Sequence, residues 1–215
     1  MTATPTPIAI LGAGGHAKVV ADLVERAPDL VLFGFYDDRA ESLPPEVFGV
    51  SVRGTRAQLL EDVRAGLVKA AVVGIGSNDA RVAVASWCEE HGVARVAVVH
   101  PSAQLSRGVV IGRGTVVMAG AVINADSVVG DDVIVNTRAS VDHDAAIGHG
   151  AHIAPGATLC GTVTVGEGAF VCAGATVTPN RHIGAGATVG AGSTVLADVP
   201  AGATAVGSPA RVVSR

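Results

Sequence analysis

The chain has 215 residues, 49% of them apolar, 16% charged and 3% aromatic, with a formal net charge of −4. That length suits one large domain or two small ones, and the acidic balance argues against a basic nucleic-acid-binding surface. No apolar run approaches the roughly 20 residues of a membrane-spanning helix, and the opening MTATPTP lacks the basic and apolar stretches of a leader peptide, so a cytoplasmic location is expected.

Residues 8–98 alternate apolar runs with helical patterns: IAILGAGG, HAKVVADLVERA, VLFGFYDD, a loop holding Pro44 and Pro45, TRAQLLEDVRAG, KAAVVGIGS and DARVAVASWCEEHG. Strand, glycine turn and helix recurring in this order predict a small Rossmann-like α/β domain over residues 1–98. Cys88, Cys160 and Cys172 are an odd number without CxxC spacing. A disulfide framework or zinc ribbon is therefore not expected.

From residue 99 the texture changes. Every sixth position from 99 to 195, seventeen in all, holds Ile, Leu or Val, and the fourth residue after each is Ala, Ser, Thr or Val in every case but Arg181. A period of six fits neither a helix (3.6) nor a two-sided strand (2.0). It fits a solenoid in which each flat face consumes one hexapeptide and three hexapeptides close a coil, giving five to six coils over residues 99–215. With 28 glycines but one Trp and one Tyr, stacked aliphatic residues must supply the core. Arg181, at a small inward position, predicts a bulge or opening there.

Repeats such as IGHGAH and IGAGAT, with the terminal VGSPARVV, resemble the hexapeptide-repeat acyltransferases. The resemblance implies a left-handed parallel β-helix and a homotrimer with active sites between neighbouring subunits. GAGGHAKVV and VNTRASVDHDAAIGHGAHIAPGA resemble the nucleotide-sugar acetyltransferases of that family, which carry an N-terminal α/β domain. Their implied activity is acetyl-CoA-dependent N-acetylation of UDP- or GDP-linked 4-amino-4,6-dideoxy sugars, GDP-perosamine among them. Sugar or sialic acid O-acetylation is the more distant alternative.

Acetyl transfer from a thioester to an amine needs a base for the amine proton, and a neutral histidine suits that task. Of seven histidines, His143 stands third in its hexapeptide, faces outward, and lies between Asp142 and Asp144. A neighbouring carboxylate fixes the imidazole tautomer and stabilises the imidazolium; the resemblance assigns this to Asp144. It also implies that His152 contacts acetyl-CoA, against the alternative of an exposed turn residue. His149 has no such match and reads as surface. Asn136 could line the sugar pocket or form an amide ladder between coils.

Gly12-Ala13-Gly14-Gly15-His16 follows a predicted strand and opens a helix, a context in which backbone N–H groups cradle phosphate. It lacks the third glycine of GxGxxG, so a dinucleotide is disfavoured. Gly14, Gly15, His16, Asp37, Asp38 and Gly76 are assigned to a nucleotide sugar, as the resemblance implies, with the aspartates on its ribose or base. Gly161, Ala173, Gly190 and Ala191 stand where the family's backbone contacts to coenzyme A would fall, and Arg181 or Arg211 could meet its 3′-phosphate. No metal is expected: three-histidine zinc sites of hexapeptide carbonic anhydrases need spacings absent here. A non-catalytic nucleotide-sugar-binding trimer is disfavoured by the Asp-His-Asp triplet.

Overall fold

The apolar segment TPIAIL forms β1 (Thr6–Leu11), and its neighbours follow in the order α1 (Gly15–Glu25), β2 (Leu30–Tyr36), β3 (Glu46–Val47), β4 (Val50–Gly54), α2 (Arg56–Arg64), β5 (Ala70–Val73) and α3 (Asn78–Glu90). This computed structural model describes residues 4–213; the first three residues of the N-terminal domain and the last two of the repeat lie outside the described residues. Two compact units divide between Val98 and Val99.

In the first unit the sheet order is β3-β4-β2-β1-β5. β1 pairs in parallel with β2 and β5, and Ile8, Ala9 and Ile10 are fully buried. A parallel strand covered on both faces reads as a continuous apolar run, which is why β1 shows no alternation. The chain goes from β1 to β2 on one side and reaches β5 on the other. The order therefore reverses between β1 and β5, where open α/β sheets place ligands beyond the strand ends.

Seventeen two-residue strands, the first of them straddling the division, run from Val98–Val99 to Thr194–Val195 among the described residues. The second residue of each is the periodic aliphatic one. Strands pair in parallel eighteen residues apart, as in Gln104 with Val122 and Val122 with Ser140, so three hexapeptides make one coil and three sheets form its faces. Aliphatic residues from Val117 to Val195 and small ones such as Ala139, Ala157 and Ala175 form one buried cluster. Burying each aliphatic side chain stabilises by about 1.5–3 kcal/mol. Where the small residue is polar, its hydroxyl satisfies backbone: Thr115 Oγ1 donates to Gly130 O (2.7 Å) and accepts from Val133 N–H (3.0 Å).

Two expectations are corrected. Leu105 is 42% exposed, because the first coil has a coil on one side only. The coil does not bulge at Arg181: His182 and Ile183 pair with Thr164 and Val165 in register, and Thr164 N–H donates to Arg181 O (3.0 Å). The guanidinium leaves the interior instead, donating from Nε to Pro179 O (3.2 Å) and lying 3.7 Å from Asp198. The irregular step comes later, where Thr188 pairs with Thr204, two residues short of a full coil. An antiparallel hairpin of Thr204–Gly207 with Ala210–Val213 then ends the repeat.

Candidate functional site

The first unit holds a cavity of about 450 Å³ whose walls include Gly14, Gly15, His16, Asp37, Asp38 and Gly76. Six residues drawn from three segments are thus brought together at the switch point. Gly12 turns the chain out of β1 with φ of 99°, a region that disfavours side chains, and Ala13 N–H donates to Asp37 Oδ2 (3.0 Å). Asp37 also accepts from Arg39 N–H and Nε (3.0 and 3.2 Å). Burial alone would raise its carboxyl pKa, but these hydrogen bonds from Arg39 and Ala13 outweigh it and hold the group below its ordinary value. Asp37 therefore clamps the glycine turn, while the more exposed Asp38 pairs with Arg56 (2.7 Å). A Cβ added at Gly14 or Gly15 would meet nothing within 4 Å, so these glycines leave open space at the start of α1.

His16 presents Nε2, buried and without a hydrogen-bond partner. Burial, aided by the charge of Arg81, pushes its pKa down to about 4, so the ring is neutral at pH 7. Arg81 is itself 1% exposed. It donates to Ile75 O and Gly76 O (3.2 Å each) and to Asn78 Oδ1 (2.9 Å), fixing the loop after β5.

In the second unit His143 lies at a corner of the coil. Asp144 follows it with φ of 57°, and this left-handed turn brings the carboxylate back: His143 Nδ1 and Asp144 Oδ2 are 2.7 Å apart. That bond raises the imidazole pKa above its ordinary value, with the charges of Asp142 and Asp144 adding to it. Asp144 accepts at Nδ1–H, so the free lone pair falls on Nε2, the tautomer a general base requires. Nε2 lies over Gly161, where a Cβ would stand 2.6 Å from it.

Asn136 and His152 form a separate pair. Asn136 Nδ2 donates to His152 Nε2 (3.0 Å) and its Oδ1 accepts from Thr137 N–H (2.8 Å). The expected alternative, an amide ladder, is not what forms, and His152 is no exposed turn residue: it is 8% exposed and stacks on Phe170 at 4.9 Å. His149, read as plain surface, lies 3.7 Å from the buried Asp132. Ala173 and Ala191 are exposed at one corner, joined through Gly192 N–H to Ala173 O (2.9 Å). A Cβ at Gly190 would come within 2.7 Å of Val206, so the closing hairpin requires that glycine. Arg211 lies exposed on the hairpin. The cysteines are free, with Cys160 and Cys172 partly buried. Among the described residues no group of three His, Cys, Asp or Glu is placed to hold a metal ion, and no helix is long and apolar enough to cross a membrane.

Sequence reasoning missed Arg39 and Arg56 in the cavity wall, Arg81 holding the loop behind it, and Asn124, which donates to Asp142 beside His143. Asn124 carried a signal, since it precedes Asp142 by the eighteen residues of one coil. The arginines carried none.

Residues 7–88 match the family model described as the PglD N-terminal domain. No curated protein matches the chain. Among solved structures, PerB from Caulobacter crescentus, in complex with CoA and GDP-perosamine, is 39% identical over 98% of this chain and 99% of that one, with a TM-score of 0.91. The acetyltransferase domain of PglB from Neisseria gonorrhoeae, in complex with acetyl coenzyme A, is 37% identical over 98% of this chain and 100% of that one, with a TM-score of 0.90. WeeI from Acinetobacter baumannii is 28% identical over 97% and 100%, with a TM-score of 0.85. With its N-terminal α/β domain, its hexapeptide coil and this likeness over 98% of its length, the chain belongs to the nucleotide-sugar acetyltransferases of the hexapeptide-repeat family.

Proposed function

We propose that the protein transfers the acetyl group of acetyl-CoA to the 4-amino group of a nucleotide-linked 4-amino-4,6-dideoxy sugar, with His143 as general base. The observation that carries this is the His143–Asp144 contact, which leaves Nε2 as the acceptor over Gly161. The amine lone pair attacks the thioester carbonyl, a C–N bond forms, and the amine proton passes to Nε2. The C–S bond then breaks as the tetrahedral intermediate collapses, and the imidazolium returns its proton to the departing CoA sulfur. No covalent enzyme intermediate is needed, and neither Cys160 nor Cys172 takes part.

The α/β unit is assigned the nucleotide. The open glycine turn at the start of α1 suits a diphosphate, neutral His16 offers Nε2 without the cost of a buried charge, and the Asp38–Arg56 pair offers acceptor and donor to base or ribose. The coil is assigned coenzyme A, with His152, Ala173 and Ala191 as contact positions. A GDP-linked sugar is the first substrate to try, because PerB binds GDP-perosamine and is 39% identical. A homotrimer with three equivalent sites and a cytoplasmic location complete the proposal. The test is thiol release from acetyl-CoA with GDP-perosamine and UDP-linked amino sugars. The wild type turns over, and His143→Asn loses on the order of a hundredfold or more; a variant with near-normal turnover removes the base role from His143.

A further inference from the structure

The corner that carries His143 has a counterpart one coil earlier and one coil later, eighteen residues away in each direction. We propose that these two neighbours set the working position of the imidazole: Asn124 from the coil before, through Asp142, and Gly161 from the coil after, by having no side chain. Both are positioning residues, and the proposal rests on the reading of His143 as the base.

On the earlier side, Asn124 Nδ2 donates to Asp142 Oδ1 (2.9 Å), and the same oxygen accepts from His143 N–H (2.8 Å). Ser127 Oγ donates to Asp142 O (2.8 Å) and accepts from Ala145 N–H (3.1 Å). Asp144 N–H donates to Ala125 O (3.0 Å). The peptide bearing the base is thus tied on both sides to the coil before it, and Asn124 is the only one of these ties that reaches the carboxylate of Asp142. That hydrogen bond, followed by the one from His143 N–H, lowers the carboxyl pKa of Asp142 from its ordinary value and fixes the carboxylate beside the ring.

On the later side, Gly161 is not among the residues with positive φ, so its backbone admits any side chain. What forbids one is the base. An added Cβ would stand 2.6 Å from His143 Nε2 and 2.7 Å from Cε1, with no backbone atom among its nearest contacts. Gly112 is the contrast, since a Cβ there would strike the backbone of Gly130 at 2.4 Å. The coil cannot open to relieve the contact at Gly161, because Thr162 N–H donates to His143 O (2.9 Å) and Cys160 N–H to Val177 O (3.0 Å). The imidazole is the part that must yield, and yielding breaks its alignment with Asp144.

The experiment compares wild type, Gly161→Ala and Asn124→Leu by steady-state kinetics with both substrates, by thermal melting, and by ¹⁵N NMR titration of the His143 ring in the unliganded protein. Misplacing a catalytic group by about 1 Å can cost a hundredfold. Gly161→Ala is expected to lower kcat by at least about tenfold with the nucleotide-sugar KM within about twofold of wild type, and to bring the imidazole pKa down toward its ordinary value. Asn124→Leu is expected to lower kcat several-fold, with Asn124→Gln recovering part of the loss. In a His143→Asn background Gly161→Ala should cost nothing further, since the two act as one unit. A Gly161→Ala protein with unchanged kcat and unchanged imidazole titration overturns the proposal, as does one raising only the acetyl-CoA KM, which would make Gly161 a coenzyme contact. Because the titration does not depend on turnover, it tests positioning even if His143→Asn shows that the base lies elsewhere.

Discussion

Replacing Asp144 by glycine should separate stability from activity. Every sixth residue from 108 to 192 has positive φ, and at most of these corners the residue is glycine. Asp144 occupies such a corner with φ of 57°. The left-handed conformation costs an L-residue about 1–2 kcal/mol, toward the low end for aspartate, whose short polar side chain tolerates it. Glycine removes that strain but brings a larger unfolded-state entropy, worth roughly 0.5–1 kcal/mol. The carboxylate itself is 59% exposed, so the contact with His143 adds little to the fold. Asp144→Gly should therefore melt within a few degrees of wild type, and at or above it. Turnover should fall on the order of a hundredfold, because the ring loses both its tautomer and its alignment. Thermal denaturation followed by circular dichroism, beside thiol release from acetyl-CoA, measures both. A destabilisation of about 2 kcal/mol or more would show that the carboxylate holds the coil together, and wild-type turnover would show that it does not orient the base; either result refutes the reasoning.

The two histidines should titrate in opposite directions. As the proposed base, His143 would have to be neutral to act, and its pKa is raised above 6.5 by Asp144 and by the nearby charges, so kcat/KM should fall on the acid side with an apparent pKa above 6.5; an acid limb below that value would contradict the assignment. His16 is held near 4 when folded against 6.5 when unfolded. The unfolded chain therefore binds more protons between those values, and stability should fall as pH drops from about 6.5 to 4 by up to about 3 kcal/mol. Melting temperatures across that range should show the loss in wild type and a flatter profile in His16→Asn, and equal slopes would place the acid sensitivity elsewhere.

The coil was legible because its rule is local. A residue every six that must point inward, and a corner that must turn left-handed, are requirements each hexapeptide meets with its own side chains, so the pattern survives in one dimension. The same holds for His143 and Asp144, adjacent in the chain and joined by one turn. Arg181 marks the limit of that reading: the periodicity placed it inward, but a long cationic side chain can leave a thin coil, and its route to Pro179 and Asp198 depends on neighbouring turns. His152 likewise gained its burial from Phe170, one coil on.

What the linear order could not decide is which distant residues share a place. Asp37 meets Ala13 across twenty-four residues, and Arg81 reaches both the loop after β5 and the electrostatic surroundings of His16, because β1, β2 and β5 pair side by side. Gly161 was expected only as a backbone contact to coenzyme A, and stacking of the coils is what placed it against the ring of His143. The physical reason is common to all three: backbone preferences act over a few residues, whereas a burial shift, a clamped turn or an excluded Cβ is set by strand pairing, which exists only once the chain has closed on itself.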